Sequence, residues 1–465
     1  MIMAERLRDP SEEEAEQTAA QSSRQEATVP PEADQKMQGT GSAEPHEHVR
    51  TQGPRTSKGY LLCYALICMV GGLSSICIKQ LILPLHVKQL DPVHFYTSFA
   101  LVASAGAVAG LIATPLFGAI SDRTTWRLGR RRTWMIIGGI SAVIGWGIMA
   151  LASRILMLCL GQILSQVGVD TVFAVSTALI PEMAPRLRRF ASTINGMAPM
   201  VGGVLGVNLV AHVTDTRVVS QGYLLLIGLS MLFTILFLCI LREEPLIQPP
   251  PPLRLGRFLV GMLEPLRTRA FVWPLASRLF AFLAYTLLGS FFLSYLRDGL
   301  HVGEGIAASR LGFFQLLSTT LLLTTALIVG WWCKGMKQRK WCGISGTVIM
   351  AIGVGILALA PGWPVMLVAA AVFGTGFGMH AGVNVTLAVT VLPTTKESGK
   401  FLGVLQDAIF LALIVSPQIG GGILTTFPRQ FALVFAAGAA ASLLAGAALL
   451  PVKAGHNEQV SLPPH

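Results

Sequence analysis

Twelve apolar runs separated by short polar stretches divide the chain beyond residue 57. They fall near 59–81, 95–118, 134–153, 155–180, 193–213, 221–241, 271–296, 308–330, 342–360, 363–392, 401–425 and 431–451, and are numbered α1 to α12 in chain order. Each is close to the roughly 20 residues that a helix needs to cross the hydrocarbon core of a bilayer. None alternates apolar and polar residues with the period of two that marks a half-buried strand. A segment in lipid must satisfy its own backbone groups, which a helix does. The pattern predicts an all-α, polytopic membrane protein. The runs 155–180 and 363–392 exceed one crossing and are expected to tilt or project beyond the bilayer.

The connections carry the orientation. Those following α2, α4, α6, α8 and α10 hold 19 Arg and Lys, against 6 in the connections on the other side. By the positive-inside rule the first set, and with it both termini, is expected to face the cytoplasm. That makes this a multi-pass protein of a cell membrane, plasma or bacterial inner. The longest connection, 242–270, contains Pro249-Pro-Pro-Pro252 and follows the sixth run, as a linker would. Landmarks on its two sides repeat. Gly118 and Gly330 end α2 and α8, Pro181 and Pro393 follow α4 and α10, and both pairs are 212 residues apart. A chain of two six-helix bundles related by pseudo-two-fold symmetry is therefore expected, with bundles at 58–241 and 271–451 and a tail at 452–465.

Composition sharpens the picture in three places. With 52% hydrophobic and 13% charged residues, a water-soluble domain is excluded. The net charge of +11 would suggest nucleic acid in a soluble protein, but residues 1–57 carry 11 acids and 6 bases and the surplus lies in alternate loops, so the bilayer, not nucleic acid, is the expected partner. Residues 1–57 have few apolar residues and no period and are expected to be a disordered cytoplasmic tail. They contain no signal peptide pattern, so α1 is expected to direct insertion. The seven cysteines and nine histidines show no metal-ligand spacing, and Gly374-x-Gly376-x-Gly378 follows no strand and precedes no Lys-Ser/Thr, so no metal, cofactor or nucleotide is expected.

The most charged stretch within the membrane region is Gly118-Ala-Ile-Ser-Asp122-Arg123, then Gly129-Arg130-Arg131-Arg132, between α2 and α3. This pattern resembles the signature loop of the major facilitator superfamily of secondary transporters. The long spacing between Arg123 and Gly129 is similar to that of its cation-coupled sugar symporter and sucrose transporter branches. The resemblance implies two bundles around a central cavity and a gating role for the loop, in which Asp122 reaches the start of α11 and latches one of two alternating states. The offset of 212 lands on Lys334 in the second half, so that half lacks the acid. The antiporter signature of α5, glycines ending in Gly-Pro, is not met by Gly196-Met-Ala-Pro199-Met-Val-Gly-Gly203.

Ionisable groups inside apolar runs are costly and mark candidate chemistry. Of the 13 acids after residue 57, Asp170 on α4 and Asp407 on α11 lie well inside one. Gln162, Gln166 and Asp170 recur every fourth residue and share a helical face, read here as facing water. Lys79 near the end of α1, Arg278 on α7, and His380 and Asn384 on α10 complete the set, and in the resembled superfamily α1, α4, α7 and α10 surround the cavity. Asp170 is the leading proton carrier, with His380 able to share that duty. Arg278 would pair with an acid or with an anionic or hydroxyl-rich solute, and the amides would hydrogen-bond it. Asp407, two turns into α11, is read as a gate or salt-bridge partner. Lys79 equally suits a side chain reaching for the membrane interface, and His380 a packed histidine.

These residues describe a transporter, not an enzyme: a secondary active carrier of a small organic solute, functional as a monomer, with a proton or other cation as coupling ion. Proton-coupled symport of a sugar-like solute is the first reading. Efflux of a drug or secondary metabolite, and more distantly a non-transporting receptor or scaffold, remain open.

Overall fold

The structure, a computed structural model, describes residues 58–213, 218–241, 256, 264–359, 362–390 and 398–452. The expected tails, most of the 242–270 connection with its proline run, Pro393 and Lys396 lie outside them. Among the described residues the twelve long helices are α1 Lys58–Leu90, interrupted by a π-turn at Ile78–Ile82, α2 Phe95–Ser121, α3 Arg130–Ala150, α4 Ile155–Ala178, α5 Pro185–Val213 and α6 Val219–Ile240, followed by α7 Arg269–Ser294 with a terminal π-turn Tyr295–Gly299, α8 Glu304–Trp332, α9 Met336–Leu359, α10 Trp363–Thr390, α11 Ser398–Thr426 and α12 Phe431–Ala447. Eleven are long and apolar enough to cross a membrane, and α12 is a shorter apolar helix of 17 residues, rising about 25 Å. Among the described residues there is no strand.

Packing follows one rule used twice. In the first half α1 packs on α5 and α6, α3 on α4 and α6, and α2 on α4. Adding six to every number gives the observed second set: α7 on α11 and α12, α9 on α10 and α12, and α8 on α10. The pairs α2 with α11 and α5 with α8 join the halves, and the same operation exchanges them. This is the pseudo-two-fold relation expected from the repeated landmarks.

Lipid gives helices no hydrophobic drive to associate, so close van der Waals contact must do it, and small residues permit that contact. At Gly72 the backbone of α1 lies directly on that of α5 at Pro199, leaving no space for a Cβ. The cysteines within the described helices are free, as expected of small hydrophobes in this setting.

The first helix differs from expectation. Its apolar run was bounded at residue 81, where Pro84, His86 and Lys88 dilute it, yet the helix continues through the π-turn to Leu90, with Pro84 near the start of the last segment, where its missing N–H does least harm. Lys79 consequently sits about three turns inside the helix rather than at its end.

Candidate functional site

A cavity of about 360 Å³ lies between the halves, lined by α1, α2, α4, α5, α7 and α11. Its ionisable lining groups are Lys79, Asp170, Arg278 and Tyr285, joined by the amides of Gln80, Gln166, Asn195 and Gln406 and the rings of Phe99, Phe173, Phe282 and Phe410.

The acid is held by α4. Asp170 and Gln166 are both buried, and the Gln166 amide donates to Asp170 Oδ2 at 2.8 Å, a bond their four-residue spacing allows. The face of α4 is not uniformly wet. Gly106 and Gly110 of α2, also four apart, press on it: a Cβ at Gly106 would strike the Gln162 amide, and one at Gly110 would strike the Asp170 carboxylate and the Phe410 ring of α11. Gln162 is thus covered by α2 and lies outside the cavity lining, its Oε1 buried without a protein partner. The expectation that this whole stripe faces water fails there because two glycines let a neighbouring helix seat on it.

The cations come from opposite halves. Arg278, Phe282 and Tyr285 follow the i, i+4, i+7 spacing and line the cavity from one face of α7. The guanidinium lies over the Phe282 ring, 5.1 Å from its centroid, and its Nε is buried with no acceptor. Across from α7, Gln80 sits beside the Tyr285 hydroxyl. Gln80 is next in sequence to Lys79, which lines the same cavity from α1 and falls within electrostatic range of Asp170.

His380 and Asn384 lie outside the cavity lining, although His380 falls within electrostatic range of Arg278. His380 is buried where α10 meets α9, its ring nitrogens without protein partners. Asn384 donates to the Pro274 carbonyl of α7 at 3.3 Å. Neither lines the cavity. Asp407 is half-buried, one residue after the cavity-lining Gln406.

The α2–α3 loop forms its own network. Asp122 pairs with Arg131 at 2.6 Å, and Arg131, almost wholly buried, also donates to Ser121 and to Glu182. Arg130 pairs with Glu182 as well. Arg123 donates to the Ala119 carbonyl at 2.8 Å. Gly129 precedes α3 at φ 92°, a backbone conformation that favours glycine. Gly118 is in ordinary contact with Ala174. Asp122 belongs here to a network within its own half in which Arg131 joins it to Ser121 and to Glu182, an acid beside Pro181 that was not singled out from sequence; the side chains at the start of α11 that the expected latch would need lie outside the described residues.

At the opposite end, contacts bridge the halves. Lys88 of α1 pairs with Asp298 at 3.1 Å, Arg297 chelates the same carboxylate, and both cations lie 5.6 Å from the centroid of the Phe95 ring. Further in, Phe99 meets Phe291 edge-on, Ser104 donates to the Ile414 carbonyl and Gln418 to Ser104. The cavity lining extends the other way, to Asn195 and Gln406 near the starts of α5 and α11.

The family model described as Major Facilitator Superfamily matches residues 60–393. A probable folate-biopterin transporter 7 of Arabidopsis thaliana is 22% identical over 339 residues, 70% of this chain and 72% of that protein. Sugar transport protein 5 of the same plant is 34% identical over 123 residues, 26% of this chain and 23% of that one. Among solved structures, the D-xylose-proton symporter superposes with a TM-score of 0.67 at 18% identity, covering 85% of this chain and 97% of its own. The human organic anion transporter MFSD10 gives 0.59 at 17%, covering 86% and 100%. At these identities the structural likeness is one of fold.

Proposed function

Because the chain belongs to the Major Facilitator Superfamily, we propose that it carries a small polar organic solute across a cell membrane by alternating access, with Asp170 taking up and releasing the coupling proton. One observation carries this reading: among the described residues lining the cavity, Asp170 is the sole carboxylate, and it shares that space with Lys79 and Arg278. A lone carboxylate there is a group whose charge can change with each cycle, and the two cations are fixed charges that feel the change. Gln166 supports the carboxylate in either state, donating to it when ionised and accepting from it when protonated.

The bundles at 58–241 and 271–451 would act as the two moving bodies, linked by 242–270. The surplus of Arg and Lys in the loops at the Asp122 end supports a cytoplasmic location for that end and for both termini. In that orientation the Lys88 end is the outer one, held shut here, and the cavity leads toward the cytoplasm. Amides beside aromatic rings suit a solute with hydroxyls and a flat face. A sugar-like solute fits that description, as the xylose-proton symporter's name suggests for its own, and so does a pterin-like one, as the folate-biopterin relative's name does. Export of such a solute uses the same site in reverse.

The test is solute accumulation in proteoliposomes under an imposed pH gradient, with D-xylose, sucrose and folate, in wild type and Asp170→Asn. The variant is expected to lose gradient-driven accumulation yet keep exchange of labelled for unlabelled solute. Equal accumulation by both proteins would sink the role given to Asp170.

A further inference from the structure

Resting on the reading of the cavity as the solute site, we infer that the solute is an organic anion, a carboxylate taken by Arg278 with Lys79 in support. The charges of the empty cavity do not balance. It is lined by two cations, Lys79 and Arg278, and one acid, Asp170. The acid has a neutral amide on Oδ2 and no cation within ion-pairing distance. Neither cation has a carboxylate partner among the described residues. Arg278 is the more exacting of the two. Phe282 covers it, and its Nε is buried without an acceptor among the described residues.

An unpartnered guanidinium is expensive inside a membrane protein, and the side chains that bear one there usually face a ligand path or a counter-charge. Here the counter-charge is missing while the space beside it is present. A neutral polyol would bring dipoles to this site but no net charge. A carboxylate brings the one negative charge that the lining lacks, in the planar, two-oxygen form that a guanidinium fork chelates. Tyr285, one turn beyond Phe282 on the same face of α7, and Phe173 and Phe410 opposite leave apolar and aromatic surface for the solute's body. A volume of about 360 Å³ accommodates such a body at the scale of a single ring system.

The test reads the sign of the cavity without transport. Ser75, one turn before Lys79 on α1, lines the cavity. In full-length Ser75→Cys protein in nanodiscs, modification at that position by anionic sulfonatoethyl methanethiosulfonate and by cationic trimethylammonioethyl methanethiosulfonate is followed by mass spectrometry of the labelled peptide, each rate divided by that of a free thiol. The anionic reagent is expected to be favoured about tenfold or more, in line with field focusing in a charged cleft. Arg278→Gln should remove most of that preference and Arg278→Lys retain it. Lys79→Gln, a second variant, should reduce it even if Arg278→Gln does not fold. Benzoate should protect the thiol better than benzamide, its neutral isostere. No anionic preference, a preference indifferent to both Gln variants, or protection by the two ligands that is equal or absent would overturn the inference. Since no gradient is imposed, failure here leaves proton coupling through Asp170 standing, and failure of coupling leaves the charge preference intact.

Discussion

The ion cluster at the Lys88 end makes a prediction in which two neighbouring substitutions differ sharply. Asp298 sits between Lys88 and Arg297, 3.1 Å from each, but the three side chains differ in exposure: 36% for Lys88, 20% for Asp298 and 9% for Arg297. In Lys88→Gln the carboxylate keeps Arg297, and what is lost is one partly hydrated pair, about 0.2–1 kcal/mol, at most about fivefold in an equilibrium. In Asp298→Asn the buried Arg297 loses its counter-ion while its Nη1 already lacks an acceptor, and such losses run to about 3–5 kcal/mol, roughly two to nearly four powers of ten. Arg297 and Asp298 are neighbours in the second half, but Lys88 and Phe95 of the first half close over them, so an Arg297 without its counter-ion is buried in the closed outer end and reaches water in the open one. Nitroxides at Val93, 82% exposed, and Glu304, exposed at the start of α8, report the separation of the halves by double electron–electron resonance. Lys88→Gln should add a minor long-distance component, and Asp298→Asn should make that component dominant. Equal responses, or an unmoved distribution in Asp298→Asn, would refute the reasoning.

Other substitutions probe the remaining sites. Gly110→Val should cut uptake about tenfold or more at unchanged surface expression, because overpacking of about 1–3 kcal/mol falls on Asp170 and Phe410. In scanning fluorimetry Arg131→Gln should lower stability by about 3–5 kcal/mol, since Arg131 is buried between two acids, and Asp122→Asn, whose carboxylate is half exposed, by about 1 kcal/mol or less; equal losses would be evidence against Arg131 as the hub. Outside the membrane segments, Ser98 and the His94 amide hold the Asp91 carboxyl below its usual 3.8, so this cap contributes above that value and is lost as pH falls below it; Ser98→Ala should bring the loss to higher pH, seen as faster exchange of the His94 amide.

The helices were legible because hydropathy acts over twenty residues at a time, and small errors average out. The run 95–118 is observed as Phe95–Ser121 and 363–392 as Trp363–Thr390. The end of α1 was not legible, because a π-turn depends on how five residues settle against neighbours and leaves no compositional trace. Of the two positions open to Lys79 from sequence, the membrane interface and the cavity, the structure has the second. The site was readable where charge was improbable, at Asp170 and Arg278, and unreadable where the residue was common. Gln80, Tyr285 and Gln406 are uncharged polar side chains in apolar helices, and only the rotation of each helix decides which way they point. Gln162 is the converse: its spacing was informative, but the glycines that cover it sit 56 residues earlier at Gly106, beyond any local pattern.

The allocation of charges between the halves bears on leakage. Lys79 and Asp170 belong to the first half and Arg278 to the second. With Asp170 ionised, the first half presents a nearly neutral face, and the empty carrier can rock shut around Arg278 alone. If Asp170 takes up the coupling proton as proposed, Lys79 then stands unscreened opposite Arg278, and closure would force two like charges into a confined, poorly hydrated space. A bound anion removes that penalty. With the proposed proton coupling and anionic solute, such an allocation would disfavour the transit of a proton without its companion and keep the gradient from running down without a separate checkpoint.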